Sequence, residues 1–335
     1  MKNKLLVCFL GLICTLSPLF GETGGYLSFE YRTEWGQGDA QKGLFGNSEA
    51  GIIFAGPLSN RLEYAIEVSL KQEDRFRIEQ AWVGYFVSQA FALKIGVYPV
   101  PFGWYNESNR PQTTVLVNSP LPVFHLFPAR WRDVGVQAEG KISGISYALY
   151  LGNGLTEAEN LSLIPLFQEN NGDKGKGGRI GLELSESINF SYSRYWGKYD
   201  GAGERDIRLE AFDVRAALLG IDFEFERIWG KQENPEGFSS GEWAGYYILA
   251  SFEIDRFRPY ASYQVVDYRD DYHGPGFVPD LSPGSGIIVD RTRWAAGVVY
   301  NLTETFLIKL EYDWNREKDF EISNDMWVLQ AALNF

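Results

Sequence analysis

The chain has 335 residues, a formal net charge of −13, 16% aromatic residues, two Cys and two His. An acidic balance of this size argues against nucleic acid as a partner, because phosphate recognition needs a basic surface. Both cysteines, Cys8 and Cys14, fall within the first 21 residues. The remainder therefore cannot be a disulfide scaffold, a zinc-thiolate centre or a cysteine enzyme.

Residues 1–21 read as a secretory signal peptide: Lys2 and Lys4 precede the apolar run 5–16, Pro18 breaks it, and Gly21 offers a small residue for cleavage. The run is too short to cross a bilayer as a helix. A short membrane anchor is the competing reading, and Ile13 is larger than a lipidation site at Cys14 would want. Without this leader, 29 basic residues face 44 acids, a net charge of −15. No later apolar run reaches the roughly eighteen residues of a membrane helix. Exported, cysteine-free and aromatic-rich, residues 22–335 fit an all-β transmembrane barrel, with a secreted β-sandwich or β-helix as the competing class.

Period-2 alternation carries the strand assignments. Residues 27–35 put Leu27, Phe29, Tyr31 and Trp35 on one face and Ser28, Glu30, Arg32 and Glu34 on the other. A strand follows at 44–56. Residues 61–70 place Leu62, Tyr64, Ile66, Val68 and Leu70 opposite Arg61, Glu63, Glu67 and Ser69. The stretch 73–87 fits either register, which leaves Arg75 and Arg77 unassigned. Further strands are predicted at 90–98, 133–142, 144–152, 178–185, 187–196, 205–218, 221–226, 242–253, 256–267 and 291–300. Residues 304–314 then set Phe306, Ile308, Leu310, Tyr312 and Trp314 against Lys309, Glu311 and Asp313. The chain closes on "MWVLQAALNF", whose alternation ends in Phe335. That is the form of terminal strand read by the barrel-assembly machinery. The total is about sixteen antiparallel strands, an even number suited to a bacterial barrel.

Connections alternate in length. The segments 56–60, 88–89, 143–144, 185–187, 254–255 and 302–304 are tight. The segments 99–132, 153–177, 197–204, 230–241 and 268–290 are long and polar. Short periplasmic turns and long outer loops are the asymmetry of an outer-membrane barrel. Counted by strands, the segment 99–132 follows the fifth and is the third outer loop, stiffened by Pro99, Pro101, Pro111, Pro120, Pro122 and Pro128. A barrel this wide otherwise leaves an open lumen, so this loop is expected to fold inward and narrow it.

"LKIGVYPVPFGW" (93–104) and "RWRDVGVQAEGKISGISYALYLGNG" (130–154) resemble the phosphate-selective porin O and P family, with a Gly-x-x-x-x-Pro-Phe-Gly pattern opening the third loop. The likeness is specific over about residues 76–154. It implies trimeric sixteen-stranded channels in the bacterial cell outer membrane, surrounded by outer-membrane lipids and lipopolysaccharide. The expected constriction set is Lys94, Tyr98, Glu107, Arg110, Arg130, Arg132 and Asp133, with Glu139 alongside. For Arg130 and Arg132, a structural pairing with loop carbonyls or wall acids is the alternative role.

Phosphate selection needs a basic ladder with few carboxylates in it. Here Glu30, Glu34, Glu63, Glu67, Asp222, Glu224, Glu226 and Glu311 occupy predicted lumen faces. The expectation is a water-filled porin for ions and small hydrophilic solutes, weakly selective or cation-preferring, with an anion- or phosphate-selective porin as the alternative. No cofactor or metal is expected. An enzyme barrel finds no nucleophile-and-base set, since His125 lies among apolar residues and His273 in a polar loop. A non-conducting adhesin or receptor barrel is the reading from another class.

Overall fold

The computed structural model describes residues 21–34, 42–71, 75–128, 130–158, 161–164, 166–237, 239–269, 289–318 and 322–335. Residues 1–20 of the expected leader and His273 lie outside them. Sixteen strands close into one antiparallel barrel in which each strand pairs with its chain neighbours and β1 closes on β16. The strands are β1 (Glu22–Glu34), β2 (Leu44–Pro57), β3 (Leu62–Lys71), β4 (Arg75–Ser88), β5 (Phe91–Pro99), β6 (Arg132–Ile142), β7 (Ile145–Gly152) and β8 (Gly175–Ser185). They continue as β9 (Ile188–Lys198), β10 (Asp206–Leu218), β11 (Ile221–Gln232), β12 (Gly241–Phe252), β13 (Phe257–Tyr268), β14 (Arg291–Asn301), β15 (Phe306–Glu317) and β16 (Met326–Asn334). The start of β1 and the C-terminal Phe335 lie at the end of the barrel that carries the short turns.

The alternation sorts side chains as the sequence predicts. On β15, Leu310 and Trp314 are exposed on the outside, whereas Lys309, Glu311 and Asp313 are fully buried inside. Outward Phe29, Ile66, Ile95, Leu149, Ile180, Trp294 and Leu329 belong to the same apolar outer belt. In water such a belt would be untenable, so it faces lipid. A closed ladder leaves no strand edge to be hydrogen-bonded by solvent, which is the condition for crossing a bilayer with strands.

The ambiguous stretch 73–87 uses both registers. Glu67 pairs with Gln80, but Val68 pairs with Ile78, so Glu79 is the extra residue of a β-bulge. Before it, Phe76 and Ile78 point outward; after it, Val83, Tyr85 and Val87 do. Arg77 therefore shares the inner face with Glu79, and both Glu79 and Gln80 turn inward.

The chain between β5 and β6 does not leave the barrel. It carries two short helices, α1 (Trp104–Ser108) and α2 (Leu121–His125), and α2 lies against β12 and β13 on the inside. Phe102, Phe127 and Trp131 form an aromatic cluster, with ring centres 5.3 to 6.2 Å apart, and Trp131 meets Tyr195 of β9 at 4.9 Å. Leu155, Leu161 and Ile164 of the β7–β8 connection join the same buried core. Apolar packing thus fills one flank of the lumen, and the opposite flank is left to polar side chains.

Candidate channel and its constriction

The inward loop is fastened by its own ends and by the wall. Asn106 of α1 is fully buried. Its side-chain amide donates to the Val100 and Trp131 carbonyls at 2.9 and 3.2 Å, and its oxygen accepts the Trp131 N–H at 2.7 Å. One side chain thereby clasps entry and exit. Gly103 lies at φ +67°, and a Cβ there would come within 2.0 Å of Glu226 Oε1. Only glycine permits that approach.

Wall side chains then satisfy the loop's backbone. Tyr105 N–H donates to Glu226 at 3.1 Å, Gly103 N–H to Ser193 at 3.2 Å and Leu121 N–H to Gln264 at 2.9 Å. Glu311 accepts both Val117 N–H and Asn118 N–H at 2.9 Å, and the Tyr260 hydroxyl at 2.9 Å. The Asn118 amide reaches Asp313 at 2.9 Å, while Lys309 donates to the Pro111 carbonyl at 2.7 Å. A buried N–H without a partner costs about 1–3 kcal/mol, so these wall groups set where the loop can rest.

The expected constriction residues separate into distinct roles. Arg110 holds Glu67 of β3 with two nitrogens, its Nε at 2.9 Å. Arg130, at φ +53°, donates to Glu49 and, at 3.2 Å, to Glu79. Arg132 meets the other oxygen of Glu79 at 3.0 Å. The bulge residue is therefore the anion that gathers both arginines, and Ser69 adds a hydrogen bond to it at 2.8 Å. This is the structural pairing considered for Arg130 and Arg132. Lys94 pairs with Glu139 at 2.6 Å and lies 4.5 Å above the Trp82 ring. Glu107 accepts from Arg179 at 2.9 Å. Tyr98 and Asp133 are both only 1% exposed. The Tyr98 hydroxyl donates to wall carbonyls of Val136 and Leu151, and Asp133 accepts the backbone N–H groups of Val134, Asn153 and Gly154. Tyr98 thus braces β5 against β6 and β7, and Asp133 ties β6 to the β7–β8 connection.

Sequence reasoning did not single out Arg179, which ties β8 to the Gly103 carbonyl, to Glu107 and to Asp213. Nor did it find Arg215, whose guanidinium stacks 3.5 Å from the Trp104 ring centre. Inward parity on β8 and β10 was the available signal for both.

Two polar cavities flank the loop. One, of about 510 Å³, opens at the long-loop end and is lined by Arg32, Lys71, Arg77, Arg130 and Arg293 together with Glu30 and Glu49. The other, of about 530 Å³, lies at the turn end, where Lys141, Arg179 and Arg215 accompany Glu107 and Glu139. His125 of α2 accepts from Arg291 at 3.5 Å. Burial, with Arg291 and Arg293 beside it, pushes its imidazole down to about 3, so the ring is neutral at pH 7.

No protein-family model matches the chain. An uncharacterized protein of Aquifex aeolicus is 27% identical over 143 residues, which is 40% of this chain and 33% of that protein. The match thus spans about a third of the relative's length. Among solved structures, the anion-selective porin of Comamonas acidovorans superposes with a TM-score of 0.66 at 12% identity, covering 93% of this chain and 98% of that one. Salmonella typhi OmpF in complex with daunomycin gives 0.66 at 13%, covering 94% and 97%. The trimer form of the outer membrane protein OmpT of Vibrio cholerae gives 0.62 at 11%, covering 94% and 98%. At such identities the likeness is one of fold. The chain thus has the sixteen-stranded fold seen in outer-membrane porins, and its apolar outer belt faces lipid.

Two outcomes follow from the loop's anchoring. Glu311→Ala removes the acceptor of two partly buried N–H groups and should destabilise the barrel by about 1–3 kcal/mol. It should also raise open-channel current noise, read in single-channel recordings. For His125, the folded pKa lies below the unfolded value of 6.5. The unfolded chain therefore binds the extra proton, and stability present above about pH 6.5 declines as pH falls toward 3. His125→Gln should lose less stability than the parent between pH 7 and pH 4 in denaturant titrations.

Proposed function

We propose that the protein is a porin, a water-filled channel through which ions and small hydrophilic solutes diffuse passively across the outer membrane. The observation that supports this most is the unfilled polar space inside the barrel, one cavity beside β1–β4 and β14–β16 at the long-loop end and another beside β4–β10 at the turn end, on either side of the inward loop. An assembly of three copies fits the class, one of whose members, OmpT of Vibrio cholerae, has a trimer form.

The expected cation preference rested on a count of lumen-facing carboxylates. Their placement favours the alternative. Glu67, Glu226 and Glu311 are buried against the loop and engaged in holding it. The outer cavity is left with five cations and two carboxylates. Field in a narrow polar passage follows the groups that line it, not the charge of the whole chain. A weak anion preference set at the outer cavity is the reading these placements support. A phosphate-specific ladder has less support, because Arg32, Lys71 and Arg293 already have Glu30, Glu49 and Asp313 within 4 Å.

The test is the reversal potential of the protein in a planar bilayer across a potassium chloride gradient. The expected result is a modest potential of anion sign that moves toward cation sign in Arg77→Glu. A cation-sign potential in the unaltered protein would overturn the selectivity. Absence of conductance would move the non-conducting adhesin or receptor reading to the front.

A further inference from the structure

The outer surface of β9–β12 carries charges where a barrel normally shows lipid only hydrocarbon. The ladder registers define rows across these four strands. Nearest the long-loop end, Trp196, Arg208, Lys231 and Glu242 are mutual neighbours. Next come Arg194, Glu210, Trp229 and Ala244, then Tyr192, Phe212, Arg227 and Tyr246. The row below, Phe190, Val214, Phe225 and Ile248, is wholly apolar. The charges therefore stop where the hydrocarbon belt begins, within an aromatic girdle of the kind that marks a membrane interface.

A cavity of about 570 Å³ opens among these side chains on the outside of the barrel. Arg194, Arg208, Arg227, Lys231 and Arg269 line it, against Glu210 and Glu242. Both carboxylates are engaged. Glu210 accepts from the Tyr192 hydroxyl at 2.5 Å and the Trp229 indole at 2.6 Å; Glu242 accepts from Lys231 at 3.0 Å and Arg269 at 2.9 Å. Arg227, the deepest cation, lies 5.6 Å from the Trp229 ring centre and has no carboxylate partner among the described residues. A guanidinium facing lipid is unfavourable unless it reaches an anionic headgroup. The arginine fork suits phosphate oxygens, which it can bind bidentately.

We propose that this patch binds the phosphate groups of an outer-leaflet glycolipid of the lipopolysaccharide type. The cavity is the seat of the headgroup, Arg227 and Lys231 reach its phosphates, and the apolar row below meets the acyl chains. A second copy of this chain is the other conceivable occupant. It fits less well, since five cations against two occupied carboxylates would need a complementary acidic face. The inference rests on the barrel's place in the outer membrane and not on whether the pore conducts.

The test places the protein in phosphatidylcholine vesicles containing bisphosphorylated lipid A, or lipid A stripped of phosphate, or no lipid A but added inorganic phosphate. The thermal unfolding temperature should rise with bisphosphorylated lipid A alone. The rise should fall by at least half in the triple variant Arg208→Gln, Arg227→Gln, Lys231→Gln, with unchanged resistance to unfolding in unheated dodecyl sulfate as the sign of a folded barrel. An equal rise with the stripped lipid or with inorganic phosphate, or an undiminished rise in the variant, overturns the proposal. If the triple variant does not fold, Arg227→Gln alone and the lipid comparison on the unaltered chain decide it. Loss of an oligomer from the variant in lipid-free detergent would give the patch to a second copy and also overturn it.

Discussion

The structure depends on a hydrogen-bonding constraint. A long connection turned into a barrel brings backbone N–H groups away from water, and each must find an acceptor. Glu226 and Glu311 supply acceptors from the wall, and Ser193 and Gln264 extend the set around the circumference. These groups hold the loop against one flank, where aromatic packing completes the contact. The two polar cavities, one toward each end of the barrel, are the space that remains after that placement.

The bulge in β4 has a comparable reach. One extra residue turns Glu79 inward, where it meets Arg130 and Arg132 at the loop's exit. Breaking one partner of such a buried set would strand a charge, while the intact set contributes more to position than to net stability. Arg130 is thereby kept on the edge of the outer cavity. Local backbone irregularity in one strand thus shapes the electrostatics of the passage.

Much of the fold was legible because the lipid-facing side of each strand must be apolar. Residues 304–314 and 61–70 declare their faces without help from neighbours. The stretch 73–87 resisted because it changes register partway, so no single alternation could fit it. The inward loop was legible from its prolines and from "PVPFGW", and the structure shows why Gly103 is needed there. The roles of individual charged residues were much less legible. Parity tells which side of the wall Glu226, Glu311, Tyr98 or Asp133 faces. It does not tell whether a loop covers them, and that decides whether a carboxylate sets selectivity or holds backbone. Arg179 and Arg215 are illegible for the same reason, because their loop partners Gly103, Glu107 and Trp104 lie on a segment with no periodicity.

The loop rests on the wall beneath Glu311 and Asp313. Residues 22–335 contain no cysteine, so two introduced thiols would have only each other. Asn118→Cys with Asp313→Cys, treated in native membranes with a short bifunctional thiol reagent, should cross-link in high yield while the barrel continues to conduct. No cross-link, with both thiols freely labelled by a bulky maleimide, would mean that the loop lies elsewhere and that Glu311 and Asp313 do not hold it.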